Sequence, residues 1–343
     1  MGVGYISVPH AEHSCTMMGE THRPPHSDTQ SLSGTTTMIN TRLRSHTNNT
    51  RKRRVESTLR GVESTLTRVW DTLYQPKPIM PNMDRQAPGR SREPTAPMTP
   101  SMRDADAVAT QTEALIREGD LEKACAILDP LAFGHTKFPI LDRVGMRLGQ
   151  TGLGNATLLE ALDRMISRGS VGYYVIVGSA LARRLGSNMA TCLEKTAEYI
   201  VIGENWAKCD SIAERVWGEA LVCDFPRAYK YLARMGDHDN RWIRRAVGVA
   251  VHYFAKRRPT AMAELRKLLV LLAPMLSERE YDAIKGIGWG FKTIGKYQPR
   301  LLTRFLENHV KRAHPTKLML KKATTYLPAH TKQRLIGLRA KNS

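Results

Sequence analysis

Three stretches of the chain set an indole beside a charged group at helical spacing, and their residue types are the ones able to do chemistry. In Glu204-Asn205-Trp206-Ala207-Lys208-Cys209-Asp210, Trp206 and Asp210 stand at i and i+4. In Asn240-Arg241-Trp242-Ile243-Arg244-Arg245, Trp242 and Arg245 stand at i and i+3. In Lys285-Gly286-Ile287-Gly288-Trp289-Gly290-Phe291-Lys292, Lys285, Trp289 and Lys292 run i, i+4, i+7. Residues so spaced share one face of a helix. Three helices marked in this way can present three indoles, one carboxylate and several cations to one place. Cations would hold a negatively charged polymer, while indole faces and a carboxylate would stabilise positive charge developing on it.

The elements that must position these groups are helices. From about Ala105 onward, apolar residues recur with helical period near 105–117, 121–128, 138–149, 156–168, 173–185, 189–202, 206–221, 225–235, 241–256, 260–275, 278–296, 299–312, 316–326 and 329–339. The connections are short and carry Gly, Pro, Asp or Asn, and alternating strand patterns are absent. The three Trp stretches are 36 and 47 residues apart, close to the period of HEAT-type helix pairs. The expected fold is all-α: a HEAT-like α-solenoid of paired antiparallel helices over residues 104–343, with a concave basic face. Residues 1–103 read as a disordered extension and Pro-rich linker, poor in periodic apolar positions, with one short helical pattern near 57–74 and a basic tract, Arg51-Lys52-Arg53-Arg54.

Charge is distributed unevenly. The formal net charge of the 343 residues is +20. Residues 101–229 carry a net −3 and residues 230–343 a net +18. A basic C-terminal third points to a polyanion partner, most often nucleic acid, and argues against a purely protein-binding solenoid. The five cysteines include no CxxC pair, so neither a zinc site nor a disulfide frame is indicated, and a reducing compartment is expected. No apolar run approaches the ~20 residues that span a bilayer, so no membrane partner is expected.

Within the three stretches, several assignments are open. Asn205 is placed to cap a helix that begins at Trp206. Asp210 would then lie one turn inside a helix N-terminus, whose dipole favours the ionised acid, and convergence of Arg245 and Lys285 would add to this. Arg244, Arg245, Lys285 and Lys292 fall off the apolar stripes and are expected on a charged surface, with Trp242 as an aromatic wall beside Arg245. The plainer alternative makes Asp210 an exposed acid, Trp206 and Trp242 core anchors, and the arginines a solvated face. Gly286, Gly288 and Gly290 do not form a phosphate loop. Helical glycines instead mark close approach of a backbone to a neighbour. His135, His238, His252 and His309 have no ligand spacing and read as structural or exposed. No second carboxylate is obvious.

The order Trp206-Ala-Lys-Cys-Asp210, then Trp242-Ile-Arg-Arg245, then Lys285-Gly-Ile-Gly-Trp289 resembles the AlkD family of DNA alkylation repair glycosylases, over roughly residues 105–330. The resemblance implies a HEAT-like solenoid that excises cationic alkylpurines, such as 3-methyladenine and 7-methylguanine, from duplex DNA. It implies that Trp206, Trp289 and Asp210 contact the lesion's deoxyribose and that Arg245 contacts DNA. Two positions depart from the family: Asn205 stands where another Trp is common, and Lys292 where Arg is usual. A purine that is already cationic leaves without an acid, so one carboxylate and indole faces would suffice to stabilise the sugar cation. The expected protein is therefore a monofunctional, monomeric DNA N-glycosylase with no cofactor, located in the cytoplasm with the nucleoid, or in a nucleus. Its catalytic residues would be Asp210, Trp206 and Trp289, and its DNA contacts Arg245, Arg244, Trp242, Lys285 and Lys292. The competing expectation is a catalytically silent HEAT-repeat protein that binds damaged or branched DNA. Exchange of Asp210 for Asn is expected to leave the fold intact.

Overall fold

The computed structural model describes residues 101–340, which are helical almost throughout. The expectations for the N-terminal extension, its short helical pattern and its basic tract lie outside the described residues. The first helix, α1 (Met102–Arg117), opens with a reciprocal cap in which the Ser101 hydroxyl accepts from the Asp104 N–H and the Asp104 carboxylate accepts from the Ser101 N–H. There follow α2 (Leu121–Ala132), α3 (Phe138–Gly149), α4 (Asn155–Ser167) and α5 (Val171–Gly203). Then come α6 (Trp206–Ala213), a π-helical turn (Glu214–Gly218) and α7 (Glu219–Cys223), which form one continuous rod. The remainder is α8 (Phe225–Met235), α9 (Arg241–Arg257), α10 (Met262–Leu272), α11 (Tyr281–Tyr297), α12 (Pro299–Ala313), α13 (Lys317–Ala323) and α14 (Ala329–Ala340). The expected all-α solenoid is the observed architecture.

The helices lie in two layers. One layer runs α1, α3, the first half of α5, the α6–π–α7 rod, α9, α11 and α13, each packed on the next. Their shared contacts advance together along both helices, so neighbours in this layer are parallel. The alternate helices form the second layer. Helix α5 serves both layers because it breaks at Asn188 (φ −150°, ψ 52°). Beyond the break, Lys195 and Tyr199 bond Asp163 of α4 at 3.1 and 2.7 Å, and the Leu193 carbonyl accepts from Trp217 Nε1 and Tyr231 Oη.

Arginine–aspartate forks join helices of the first layer, two between neighbours and one across α5. Arg143 of α3 reaches Asp106 of α1 at 2.7 and 2.9 Å. Arg215 of the π turn reaches Asp142 of α3 at 2.6 and 3.1 Å. Arg245 of α9 reaches Asp210 of α6 at 2.7 Å through both nitrogens. In each case the acid comes from the earlier helix and the base from the later one.

Glycine sets the spacing between α9 and α11. A Cβ on Gly248 would overlap the backbone of Gly286 and Ile287. One on Gly286 would stand 2.5 Å from the Arg245 carbonyl oxygen, and one on Gly290 would stand 2.8 Å from that of Gly248. Gly286 and Gly290 of the third stretch are thus positions of close backbone approach, while Gly288 faces the Lys322 side chain, at a conformational cost of roughly 1 kcal/mol each.

Candidate nucleic-acid repair site

Trp206 is placed by a sharp corner. Helix α5 ends at Glu204 in the left-handed region (φ 42°), and the extended Asn205 then caps α6. The Asn205 Oδ1 accepts from the N–H groups of Ala207 and Lys208 at 2.8 and 3.4 Å. Trp206 occupies the first helical position and is 58% exposed. Val201 and Ile202, in the last turn of α5, are exposed as well.

Asp210, one turn on, faces α9. Both of its oxygens accept from Arg245, the arrangement of an ionised carboxylate on a guanidinium fork. The third nitrogen of Arg245, Nη1, donates to the Asp282 carbonyl of α11 at 3.0 Å. One guanidinium therefore ties three helices together. Burial pushes the Asp210 carboxyl above its ordinary value, and the bonds from Arg245 oppose that shift. The counter-charge is Arg245 alone: the Lys285 ammonium, expected to converge here, lies 4.3 Å from the Tyr281 ring centroid instead.

Three of the expected DNA contacts are not available as such in this structure. Arg245 is only 5% exposed and its guanidinium is fully engaged. Arg244 bonds Glu278 at 2.6 and 3.3 Å and the His238 and Asp239 carbonyls at 2.7 and 2.9 Å. Trp242 is 5% exposed, with Arg241 5.1 Å from its ring centroid, and is a packing residue. The reason is common to all three. Helix α9 has a parallel neighbour on each side and the second layer beneath, so a residue off its apolar stripe is still enclosed. Lys285 and Lys292 keep partly open positions, with the Lys292 ammonium 5.4 Å from the Tyr326 ring centroid.

Trp289 is half-buried and stacks on His252, centroids 3.9 Å apart and planes 20° from parallel. The Thr293 hydroxyl donates to the Trp289 carbonyl at 3.0 Å. The same hydroxyl shares a hydrogen bond of 2.6 Å with His252 Nδ1, whose direction follows the tautomer of the ring. His252 Nε2 faces Glu214 Oε1 at 3.6 Å. Burial lowers the His252 pKa to about 3, so the ring is neutral, and burial raises that of Glu214.

His252 and Glu214 are therefore parts of this cluster that motif reading passed over. A signal was present: Asp210 and Glu214 stand four apart, as do Asp282 and Gly286, while Arg245 and His252 stand seven apart. These faces meet only if the three helices are parallel and in this register. The assembled cluster holds one forked carboxylate, a second carboxylate outside the fork, a neutral imidazole and the indole of Trp289, with Trp206 one turn before Asp210 on α6. It can hold positive charge against anions and aromatic faces, and it can accept a proton.

The sequence model of the family described as DNA alkylation repair enzyme matches residues 141–327, more than half of the chain, and spans every residue of this cluster. Searches of curated proteins and of solved structures give no match.

Proposed function

Because the chain belongs to the DNA alkylation repair enzyme family, we propose that it is a monofunctional N-glycosylase that excises cationic alkylpurines, 3-methyladenine and 7-methylguanine among them, from duplex DNA. The observation that carries this reading is the pairing of the Asp210–Arg245 fork with an exposed Trp206 one turn away. An alkylated purine that bears a positive charge needs no proton to leave. The demand on the protein is an anionic, aromatic environment for the sugar as the glycosidic bond breaks. Asp210 and Glu214 supply negative charge, and the indoles of Trp206 and Trp289 supply electron-rich faces. The +18 of residues 230–343 supplies the attraction to phosphate. Lys285 and Lys292 carry the DNA contacts on this reading, and no helix among the described residues is long and apolar enough to cross a membrane.

The test is release of free 7-methylguanine from a methylated duplex under single-turnover conditions. Trp206→Ala and Trp289→Ala are expected to slow release by more than they weaken binding to undamaged duplex, since an indole against a developing cation acts chiefly in the transition state. Equal effects on binding and release would make both residues ordinary binding groups.

One observation favours a second reading, a DNA-binding scaffold without catalysis. The Asp210–Arg245 fork has the geometry of the Asp106–Arg143 and Asp142–Arg215 forks, which lie in earlier repeats. Asp210 is also the least exposed of the three acids, at 15%. On that reading all three are structural ties, and no base is released.

A further inference from the structure

We propose that Phe138, with the Asp142–Arg215 pair beside it, is a second and non-catalytic copy of the Trp206–Asp210–Arg245 unit, and that it holds the deoxyribose of an undamaged nucleotide in the same duplex; this rests on the contact of Trp206 with the lesion's sugar in the reading above. The two units match position by position. Trp206 is the first residue of α6 and Phe138 the first of α3. Four residues on stand Asp210 and Asp142. Each aspartate takes an arginine fork from a later helix of the layer, at 2.7 Å in one unit and at 2.6 and 3.1 Å in the other. A side chain at the first helical position leans back past the end of its helix, where no earlier turn covers it. Both rings are open to solvent, Phe138 at 49% and Trp206 at 58%. Helix α1 shows the pattern once more in Met102, Asp106 and Arg143, without an aromatic ring.

The copy has its own supports, because Arg215 must cross α5 to reach Asp142. Gly178 provides the passage: a Cβ there would stand 3.1 and 3.3 Å from the Arg215 side chain. The buried Ser179, next along α5, donates to Asp142 Oδ1 at 2.6 Å. The Arg215 guanidinium also lies 5.6 Å from the Phe138 ring centroid, so ring and fork form one surface. The chemistry of that surface selects its ligand. The ion pair is neutral as a whole, and the ring beside it is apolar and half open. A phosphate gains little from a guanidinium already forked, and a cationic base meets only a paired carboxylate. A neutral ring of C–H groups suits both parts, and in a duplex that ring is the sugar. Lys137 precedes Phe138, and Lys208 follows Trp206 by two, so each aromatic ring has a cation at hand for the flanking phosphates.

What the copy lacks is the second indole. Among the described residues Trp217 and Trp242 are buried, so no further indole stands open beside Phe138. A phenyl face also attracts positive charge less than an indole face does. The copy therefore holds a sugar without helping to ionise it. Two packing steps, through α5, separate α3 from the rod. Helices pack about 8–10 Å apart, which puts the second sugar about 16–20 Å from the lesion.

The probe is a duplex with one 7-methylguanine on a 2′-fluorinated sugar, which resists excision. A three-carbon spacer, which keeps the phosphates but removes sugar and base, is moved through the other positions. A tetrahydrofuran spacer, which removes the base alone, is the control. Binding is measured for the full chain, Phe138→Ala and Phe138→Tyr. The full chain is expected to lose about fivefold to tenfold in affinity with the three-carbon spacer at one position away from the lesion, and nothing with tetrahydrofuran there. Phe138→Ala is expected to show that loss on the duplex without a spacer and to be indifferent to the spacer. Its affinity is expected to keep the salt dependence of the full chain, because no phosphate contact is removed. Phe138→Tyr, which keeps the ring, is expected to behave as the full chain does. In single-turnover release, Phe138→Ala is expected to need about fivefold to tenfold more protein for half its maximal rate, whereas Trp206→Ala lowers the maximal rate itself. The proposal is overturned if Phe138→Ala binds as the full chain does or stays sensitive to the spacer. Equal losses with the two spacers, or a shallower salt dependence in Phe138→Ala, overturn it too, since they mark a base or a phosphate contact. If the unaltered chain releases no base while the spacer effect and its disappearance in Phe138→Ala are found, the excision reading fails and the sugar contact stands.

Discussion

Replacing Asp210 by Asn takes one negative charge away from a guanidinium that is 5% exposed. The perturbation is larger than the isosteric shape suggests. Arg245 loses its counter-charge, and one of its two N–H donors meets an amide NH₂ in place of an oxygen. Only the bond from Nη1 to the Asp282 carbonyl remains unaltered. Two charge-assisted hydrogen bonds are worth roughly 3–6 kcal/mol together, and removal of one partner from a buried ion pair costs about 3–5 kcal/mol. The two estimates agree. Asp210→Asn is therefore expected to lower unfolding free energy by about 3–5 kcal/mol, which revises the expectation, drawn from spacing alone, that the exchange is silent for the fold. The assay is urea unfolding of the full chain followed by far-ultraviolet circular dichroism. Arg245→Met and the double variant complete a cycle. With no guanidinium left uncompensated, Asp210→Asn/Arg245→Met is expected to be more stable than Asp210→Asn alone. A single variant within about 0.5 kcal/mol of the parent, or a double variant no better than the single, would refute this account of the fork. Any loss of base release in Asp210→Asn has to be measured where that variant is fully folded.

Three further outcomes are expected. Gly248→Ala puts a methyl into the backbone of α11, which cannot move without carrying Trp289 with it, so a loss of at least about 3 kcal/mol is expected in thermal unfolding. Gly337→Ala in α14, where a Cβ meets nothing within 4 Å, is expected to gain roughly 0.5–1 kcal/mol. The buried neutral His252 makes stability fall with acid. Its folded pKa of about 3 lies below the ordinary 6.5, so the unfolded chain binds the proton first, and stability present above pH 6.5 is lost on acidification toward pH 3. Between pH 7 and pH 4.5 the loss from this group is about 2.5 kcal/mol. His252→Asn, whose amide does not titrate, is expected to flatten the stability–pH curve by that amount, as read from urea midpoints at the two pH values.

Much of the fold was legible in the sequence. The periodicity places helices at 138–149 and 225–235 where they are observed. Two helices were expected at 173–185 and 189–202, and the chain runs them together as α5 with its break at Asn188, between the two. Asn205 caps α6 as its position before Trp206 indicated. The site was legible in part. Spacing marked the three stretches, the resemblance to the AlkD family picked out Trp206, Asp210, Arg245 and Trp289 within them, and the Asp210–Arg245 contact joins two of the three stretches. What spacing missed was enclosure. A helical stripe shows which face meets the core in a single helix on a surface, but α9 is flanked by parallel neighbours, so Arg245, Arg244 and Trp242 are all covered. Glu214 and His252 were missed because their meeting depends on the register between the π turn and α9, some forty positions apart in the chain, where Gly218 makes room for Tyr253.

The repeated forks bear on how such a molecule changes its work. Three helices of the first layer each carry an aspartate held by an arginine of a later helix in that layer. Such a layer holds a row of anions that packing alone requires. Turning one of them to chemistry takes only a few substitutions about a turn away, such as an indole at the corner of a helix or an imidazole two turns beyond the arginine. Losing such chemistry would take as few, and would leave the scaffold intact. Gain and loss of activity in such solenoids are therefore short evolutionary moves, made beside a framework that selection for folding keeps unaltered.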